Sequence, residues 1–286
     1  MYKRQIFYYQ WRADLPYPDG PEPEQFGMLY SDGRKASCYD IGVRMNRLVN
    51  RLSEPLAEAE KVRSGVALLY SDAANAFSDA RDNRDALDTA QCAERSILAL
   101  RRCYTLLNQQ GLTVDFLRPA ELAANPLGTR VLLLPFRQGL PEEELEQVEA
   151  FQAAGGRVYE YLDEGLGFRP YAREHRRVAH GVVTEQYGVC ALCDREDLRP
   201  ALRLTGCHGD VDVRLLRGKD ADWAVLTNYD PLERPVEGAV LEVQNVRSAR
   251  AYGEDLPEEG VDCPAADGRV LLPRLAFGGI VRLDKA

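Results

Sequence analysis

Arg130-Val131-Leu132-Leu133-Leu134-Pro135, then Pro141-Glu142-Glu143-Glu144, Gly155-Gly156 and Val158-Tyr159-Glu160-Tyr161 succeed one another in a single stretch, and the reading of that stretch decides the fold. The first run is apolar and free of charge between its arginine and its proline, as in a strand covered on both faces. Pro141 suits a first helical turn, where its missing N–H costs nothing, and the glutamates behind it face the positive end of the helix dipole. The glycine pair closes that helix, and an aromatic strand follows.

The same alternation extends towards the N-terminus. Gly65-Val66-Ala67-Leu68-Leu69-Tyr70 is another short apolar run. A helix of about 25 residues is predicted over Asp85 to Gln110, stopped by Gly111 as a left-handed cap residue. Val114-Asp115-Phe116-Leu117 is the next strand. Strand, helix, strand, strand, helix, strand with short links predicts an α/β domain, a parallel, flavodoxin-like three-layer sheet.

The flanks differ in character. Ile6 to Trp11 reads as a buried strand, a loop rich in proline, glycine and acid follows, and a helix is predicted over Tyr39 to Leu52. One strand and one helix cannot bury a core alone, so this segment is expected to be a remnant of something larger or a docked arm. Residues 166–208 read as irregular. Beyond them, strands are predicted at Val211–Leu216, Trp223–Asn228, Val236–Val243, Arg250–Tyr252, Arg269–Leu272 and Gly279–Leu283, forming an antiparallel β-sandwich.

Composition narrows the function classes. A net charge of -9 disfavours a nucleic-acid partner, which needs a basic stripe; a neutral, hydroxyl-rich ligand such as a sugar is compatible with it. No run approaches the roughly 20 apolar residues that span a bilayer, and the short apolar run after Met1-Tyr2-Lys3-Arg4-Gln5 is too brief for a signal peptide. A cytoplasmic location is expected. Seven scattered cysteines, an odd count, fit a reducing compartment better than a disulfide framework.

Candidate chemistry is sparse. The first strand-to-helix turn, Tyr70-Ser71-Asp72-Ala73-Ala74-Asn75-Ala76, has no glycine to let backbone approach a phosphate, and it carries an acid that repels one. No serine or cysteine follows the strand at Val158–Tyr161, where a nucleophile elbow would place it. Cys190-Ala191-Leu192-Cys193 with Cys207 resembles part of a zinc site, but the favoured reading is small apolar residues in a half-buried strand. His175, His180 and His208 lie in the irregular segment and read as part of a solvated linker. No metal and no cofactor are expected. Gln10-Trp11-Arg12 and Glu24-Gln25-Phe26 place an indole and a carboxylate near one rim, a pairing suited to a sugar, although a core tryptophan and a solvated acid fit equally well.

Phe7-Tyr8-Tyr9-Gln10-Trp11-Arg12, Glu24-Gln25-Phe26-Gly27-Met28-Leu29, Asp32-Gly33 and the helix behind them resemble the last barrel strand and exit loop of family 42 β-galactosidases. Val131–Pro135, the glutamate-rich helix and Gly155-Gly156-Arg157-Val158 resemble that family's trimerisation domain. Ala224–Tyr229 and Leu271–Leu283 resemble its small C-terminal β domain. The resemblance implies a (β/α)8 barrel remnant at 1–54, a flavodoxin-like trimerisation domain at 55–208 and a β-sandwich at 209–286. It implies a homotrimer, a carbohydrate ligand, and Trp11 and Glu24 as substrate-binding residues. The chain has Gly27 where the family has histidine, and a longer loop between Arg12 and Glu24.

Retaining hydrolysis needs two carboxyl groups roughly 5–5.5 Å apart, and in the family both come from earlier barrel strands. Met1–Gln10 contains no acid, so no catalytic residue is expected in this chain. The reading is therefore a non-catalytic C-terminal part of a glycoside hydrolase. Its rivals are a stand-alone oligomerisation or carbohydrate-binding module, and a flavodoxin-like enzyme with an unfamiliar site.

Overall fold

The computed structural model describes residues 28–30, 33–36, 39–82, 95–162, 167–172, 186–208, 211–228 and 234–286. The chain forms two compact units, Val62–Arg203 and the described residues up to Lys61 together with Leu204–Ala286. The first elements in order are helices α1 (Tyr39–Arg51) and α2 (Ser53–Glu58) and the short strand β1 (Glu60–Lys61). Then come β2 (Val66–Leu69), α3 (Asp72–Asp82), α4 (Arg95–Asn108), β3 (Val114–Leu117), β4 (Val131–Leu134), α5 (Glu142–Ala153), β5 (Arg157–Leu162) and β6 (Gly167–Pro170). Helix α6 (Val189–Arg195) and β7 (Arg203–Thr205) lead to β8 (Val211–Arg217) and β9 (Ala221–Asn228). The last strands are β10 (Val240–Glu242), β11 (Val246–Tyr252), β12 (Val261–Cys263), β13 (Ala265–Ala266), β14 (Arg269–Leu271) and β15 (Gly278–Lys285).

Unit 62–203 is built on a five-stranded sheet of order β3-β2-β4-β5-β6. The first four strands run parallel, and β6 pairs antiparallel with β5. Side chains alternate across each strand, so Val66 and Leu68 enter one core with Cys103 and Leu107 of α4 and Leu192 of α6. Ala67 and Leu69 enter the other, with Leu145, Val148 and Phe151 of α5. Every residue of β2 and β4 is buried, which is why neither strand shows polar alternation in sequence.

The glycines that end the helices have separate physical reasons. Gly111 has φ +75° and returns its N–H to Asn108 O at 2.8 Å, the left-handed stop expected after α4. Gly155 has φ +99°, whereas Gly156 is needed for space: a Cβ there would lie 2.1 Å from the Phe151 ring.

The other unit carries an antiparallel six-stranded sheet of order β1-β8-β9-β15-β11-β12 and a second sheet of order β13-β14-β10-β7. Glu60–Lys61 joins the first by pairing with Leu216–Arg217. Helix α1 lays Leu48 against a core with Leu52, Ala59, Trp223 and Ile280. The predicted helix at Tyr39–Leu52 thus gains its buried face from the C-terminal strands.

Several expectations are corrected. The segment 166–208, read as irregular, contains β6, α6 and β7 among its described residues. Cys190–Cys193 lies in helix α6 rather than a strand. The strand predicted over Val236–Val243 is reduced to β10 and an isolated bridge at Val236, because Gly238 at φ +65° interrupts the extended backbone. Helix α3 was not anticipated, and of the helix predicted from Asp85 the described part is Arg95–Asn108. Among the described residues, no helix is long and apolar enough to cross a membrane.

Candidate functional site

In open α/β sheets the crevice beyond the carboxyl ends of the strands is where ligands bind. Among the described residues a cavity beside Ser71, Ala74, Pro135 and Phe136 at this end of unit 62–203 measures about 20 Å³, room for little more than one water. The turn at Arg137–Gly139 presses down on the start of α3: a Cβ on Gly139 would lie 2.8 Å from Ala74 Cα. Ser71, the hydroxyl closest to this crevice in sequence, is occupied structurally. Its Oγ accepts from Ala74 N–H at 3.0 Å and donates to Glu144 Oε2 at 2.6 Å, so it caps α3 and ties it to α5.

Next to this crevice stands a buried ionic cluster. Glu160, at the carboxyl end of β5, receives Arg169 Nε and Nη2 on Oε2 at 2.9 and 2.6 Å. Its Oε1 accepts from Arg137 Nη1. The Glu160 side chain is 3% exposed and those of Arg169 and Arg137 are 9% and 11% exposed. The Arg137 guanidinium also lies 4.9 Å from the Tyr171 ring centroid, and Tyr171 donates to Glu149 Oε1 at 3.2 Å. Burial, reinforced by the Glu149 charge, pushes the Tyr171 phenol up to about 12. With both oxygens engaged by guanidinium, Glu160 is no free acid or base. The cluster fastens the antiparallel edge strand β6 and the turn after β4 to β5.

A second polar group surrounds Tyr159. Its hydroxyl donates to Glu196, while Arg195 Nη1 donates to Tyr187 Oη at 2.5 Å. Burial first, then the hydrogen bond to Glu196, raises the Tyr159 phenol to about 12. A tyrosine held neutral in this way is a hydrogen-bond strut, not a nucleophile.

The residues singled out in the sequence fare differently. Trp11 and Glu24, the expected sugar contacts, lie outside the described residues, as do His175 and His180. His208 Nε2 sits 3.2 Å from Arg234 O. Cys193 is buried in α6, its thiol pushed up to about 11 by desolvation, while Cys190 on the same helix is exposed and donates to Gln110 Oε1 at 3.6 Å. Among the described residues no group of three or more His, Cys, Asp or Glu could hold a metal ion. The Arg137–Glu160–Arg169 cluster was not foreseen. A buried charge far from its partners in sequence leaves no local pattern to read.

No known protein-family profile matches the chain, and no curated protein sequence matches it. Solved structures do. A catalytic mutant of Gan42B, a GH42 β-galactosidase from G. stearothermophilus, superimposes with a TM-score of 0.61 at 15% identity, covering 98% of this chain and 48% of that one. The β-galactosidase from Bacillus circulans sp. alkalophilus gives 0.56 at 12% identity, covering 97% and 49%. α-L-Fucosidase isoenzyme 2 from Paenibacillus thiaminolyticus gives 0.50 at 15% identity, covering 83% and 51%. The chain therefore spans about half the length of the solved structures it resembles, and its mixed α/β fold, with one largely parallel sheet, is similar to that half of the GH42 β-galactosidases.

Proposed function

We propose that this chain is the carboxy-terminal part of a β-galactosidase-like glycoside hydrolase of the family 42 type, serving assembly and completing a sugar pocket rather than cleaving the glycosidic bond. The observation that carries this reading is the fold agreement along 98% of the chain with 48% of a GH42 β-galactosidase. In this reading residues 1–54 are the end of the (β/α)8 barrel, 55–208 the flavodoxin-like trimerisation domain and 209–286 the β-sandwich.

The geometry supports the assignment at three points. The strand order β3-β2-β4-β5-β6 with an antiparallel edge strand is compatible with a flavodoxin-like sheet. Towards its carboxyl end Glu160 is cross-linked to Arg137 and Arg169, ties that suit a packing domain. Helix α1, docked on Trp223 and Ile280, is suited to be the helix that follows a last barrel strand. Trp11 and Glu24 would then contact the sugar, the indole stacking on a pyranose face and the carboxylate accepting from hydroxyls, while the acid/base and the nucleophile belong to earlier barrel strands.

The half of the fold present here also resembles an α-L-fucosidase, so the fold does not select the sugar. Two measurements on the isolated chain test the proposal. It should release no nitrophenol from nitrophenyl β-galactoside above the buffer rate, and light scattering should give three times the 32.1 kDa chain mass. Turnover that survives removal of contaminating enzymes overturns the non-catalytic role. A monomer at micromolar concentration overturns the assembly role.

A further inference from the structure

Cys190 and Cys193 stand three residues apart in α6, and both are free thiols. Residues at that interval in a helix share one face, with Cβ atoms about 5–6 Å apart. A helical radius of about 2.3 Å and a rise of about 1.5 Å per residue put their Cα atoms about 5 Å apart. That lies inside the roughly 4.4–6.8 Å that a disulfide spans, whereas the Cβ atoms must close to roughly 3.5–4.5 Å. Cys190 belongs to the first turn of α6, whose backbone N–H groups have no partner within the helix. The adjustment therefore falls on the part of the helix that is least tied down.

The two thiols have different surroundings. Cys190 is exposed, and its Sγ donates only a weak hydrogen bond, 3.6 Å to Gln110 Oε1, so a reagent from solvent meets it first. Cys193 is 7% exposed and belongs to a core with Leu192, Leu198 and Tyr159. Desolvation, then the charge of Cys190, pushes its thiol up to about 11, which keeps it unreactive towards external reagents. An exposed attacking thiol with a sheltered partner one turn away is what dithiol–disulfide exchange requires. A metal is less well served. Zinc takes four ligands, and among the described residues no third His, Cys, Asp or Glu joins the pair.

We propose that Cys190 and Cys193 form a reversible dithiol–disulfide couple that reacts with low-molecular-weight disulfides of the glutathione type. Cys190 gives its proton to solvent, and its sulfur attacks one sulfur of the reagent. The reagent's S–S bond breaks and releases one thiolate, which takes up a proton. Cys193 then loses its proton and attacks the Cys190 sulfur, displacing the second thiol; its position one turn away offsets its reluctance to ionise. The chain gives up two electrons, and the reagent becomes two thiols. The couple lies in unit 62–203 and does not depend on the glycosidase reading.

The test incubates the whole reduced chain in mixtures of reduced and oxidised glutathione, quenches with an alkylating agent and reads the peptide holding both cysteines by mass spectrometry. As the oxidised share rises, that peptide should lose two hydrogens and both alkylation sites together, and excess reduced glutathione should restore them. Cys193→Ser should stop with glutathione joined to Cys190. Cys190→Ser, a change at an exposed position, should keep the circular dichroism spectrum and melting temperature and leave Cys193 at least tenfold slower to oxidise. Three results would overturn the proposal. The pair might stay fully alkylatable in the most oxidising mixture, or the unsubstituted chain stop at glutathionylated Cys190. The third is Cys193 oxidising at its full rate in Cys190→Ser, by pairing with Cys103 of the same core or another thiol.

Discussion

Glu160 shows how far one side chain's role depends on partners that are distant in sequence. Its carboxylate compensates two nearly buried guanidiniums, and both of its oxygens are used. Removing one partner from a buried ion pair leaves an uncompensated charge, which costs about 3–5 kcal/mol. Glu160→Ala should lower stability by about that much in urea titrations, and Glu160→Gln by less, because the amide oxygen still accepts. A loss under 1 kcal/mol for the alanine variant would mean the cluster is solvated. Glu254 makes the opposite case. Burial raises its carboxyl above the ordinary range, with Asp255 adding to the rise and Arg44 and backbone N–H groups opposing it. The folded chain therefore holds this proton more tightly than the unfolded chain, and stability falls as pH rises through the folded value. Glu254→Gln should raise the melting temperature at pH 8 and have little effect at pH 4. Equal shifts at both, measured by calorimetry, would rule out ionisation as the cause.

At the scale of elements, the central strands of the parallel sheet are legible from their apolar character. In β2 and β4 every side chain is buried, so hydrophobicity alone marks them. Strand β6 escaped because its inward arginine is made tolerable only by Glu160 across the strand pair, a condition that no window of local sequence contains. Helix α6 was misread because Val189-Cys190-Ala191-Leu192-Cys193 is a short apolar run, and short apolar runs do not distinguish strand from helix. Once helical, it turns Leu192 and Cys193 into the core and leaves Cys190 outside. The Gly155-Gly156 turn was legible as a helix stop, but not the separate role of its second glycine. Gly156→Ala should cost about 1–3 kcal/mol through overpacking against Phe151. Pairing it with Phe151→Leu, measured as a double-mutant cycle, should recover part of that loss; strict additivity would locate the strain elsewhere.

For the whole molecule, the α/β alternation and the antiparallel C-terminal strands were readable because each element satisfies its own local pattern. What joins α1 to those strands was not readable, since Leu48 and Trp223 are far apart in sequence and meet only in the folded unit. The proposed sugar contacts, Trp11 and Glu24, rest on resemblance and lie outside the described residues. The proposed function, a carboxy-terminal part of a β-galactosidase-like glycoside hydrolase, requires an acid pair on earlier barrel strands. Sequencing the locus immediately ahead of Met1 tests it most directly. The claim predicts an uninterrupted frame encoding about seven further strands of an eight-stranded barrel, with two glutamates at strand ends. A stop codon and ribosome-binding site directly before Met1 would contradict it.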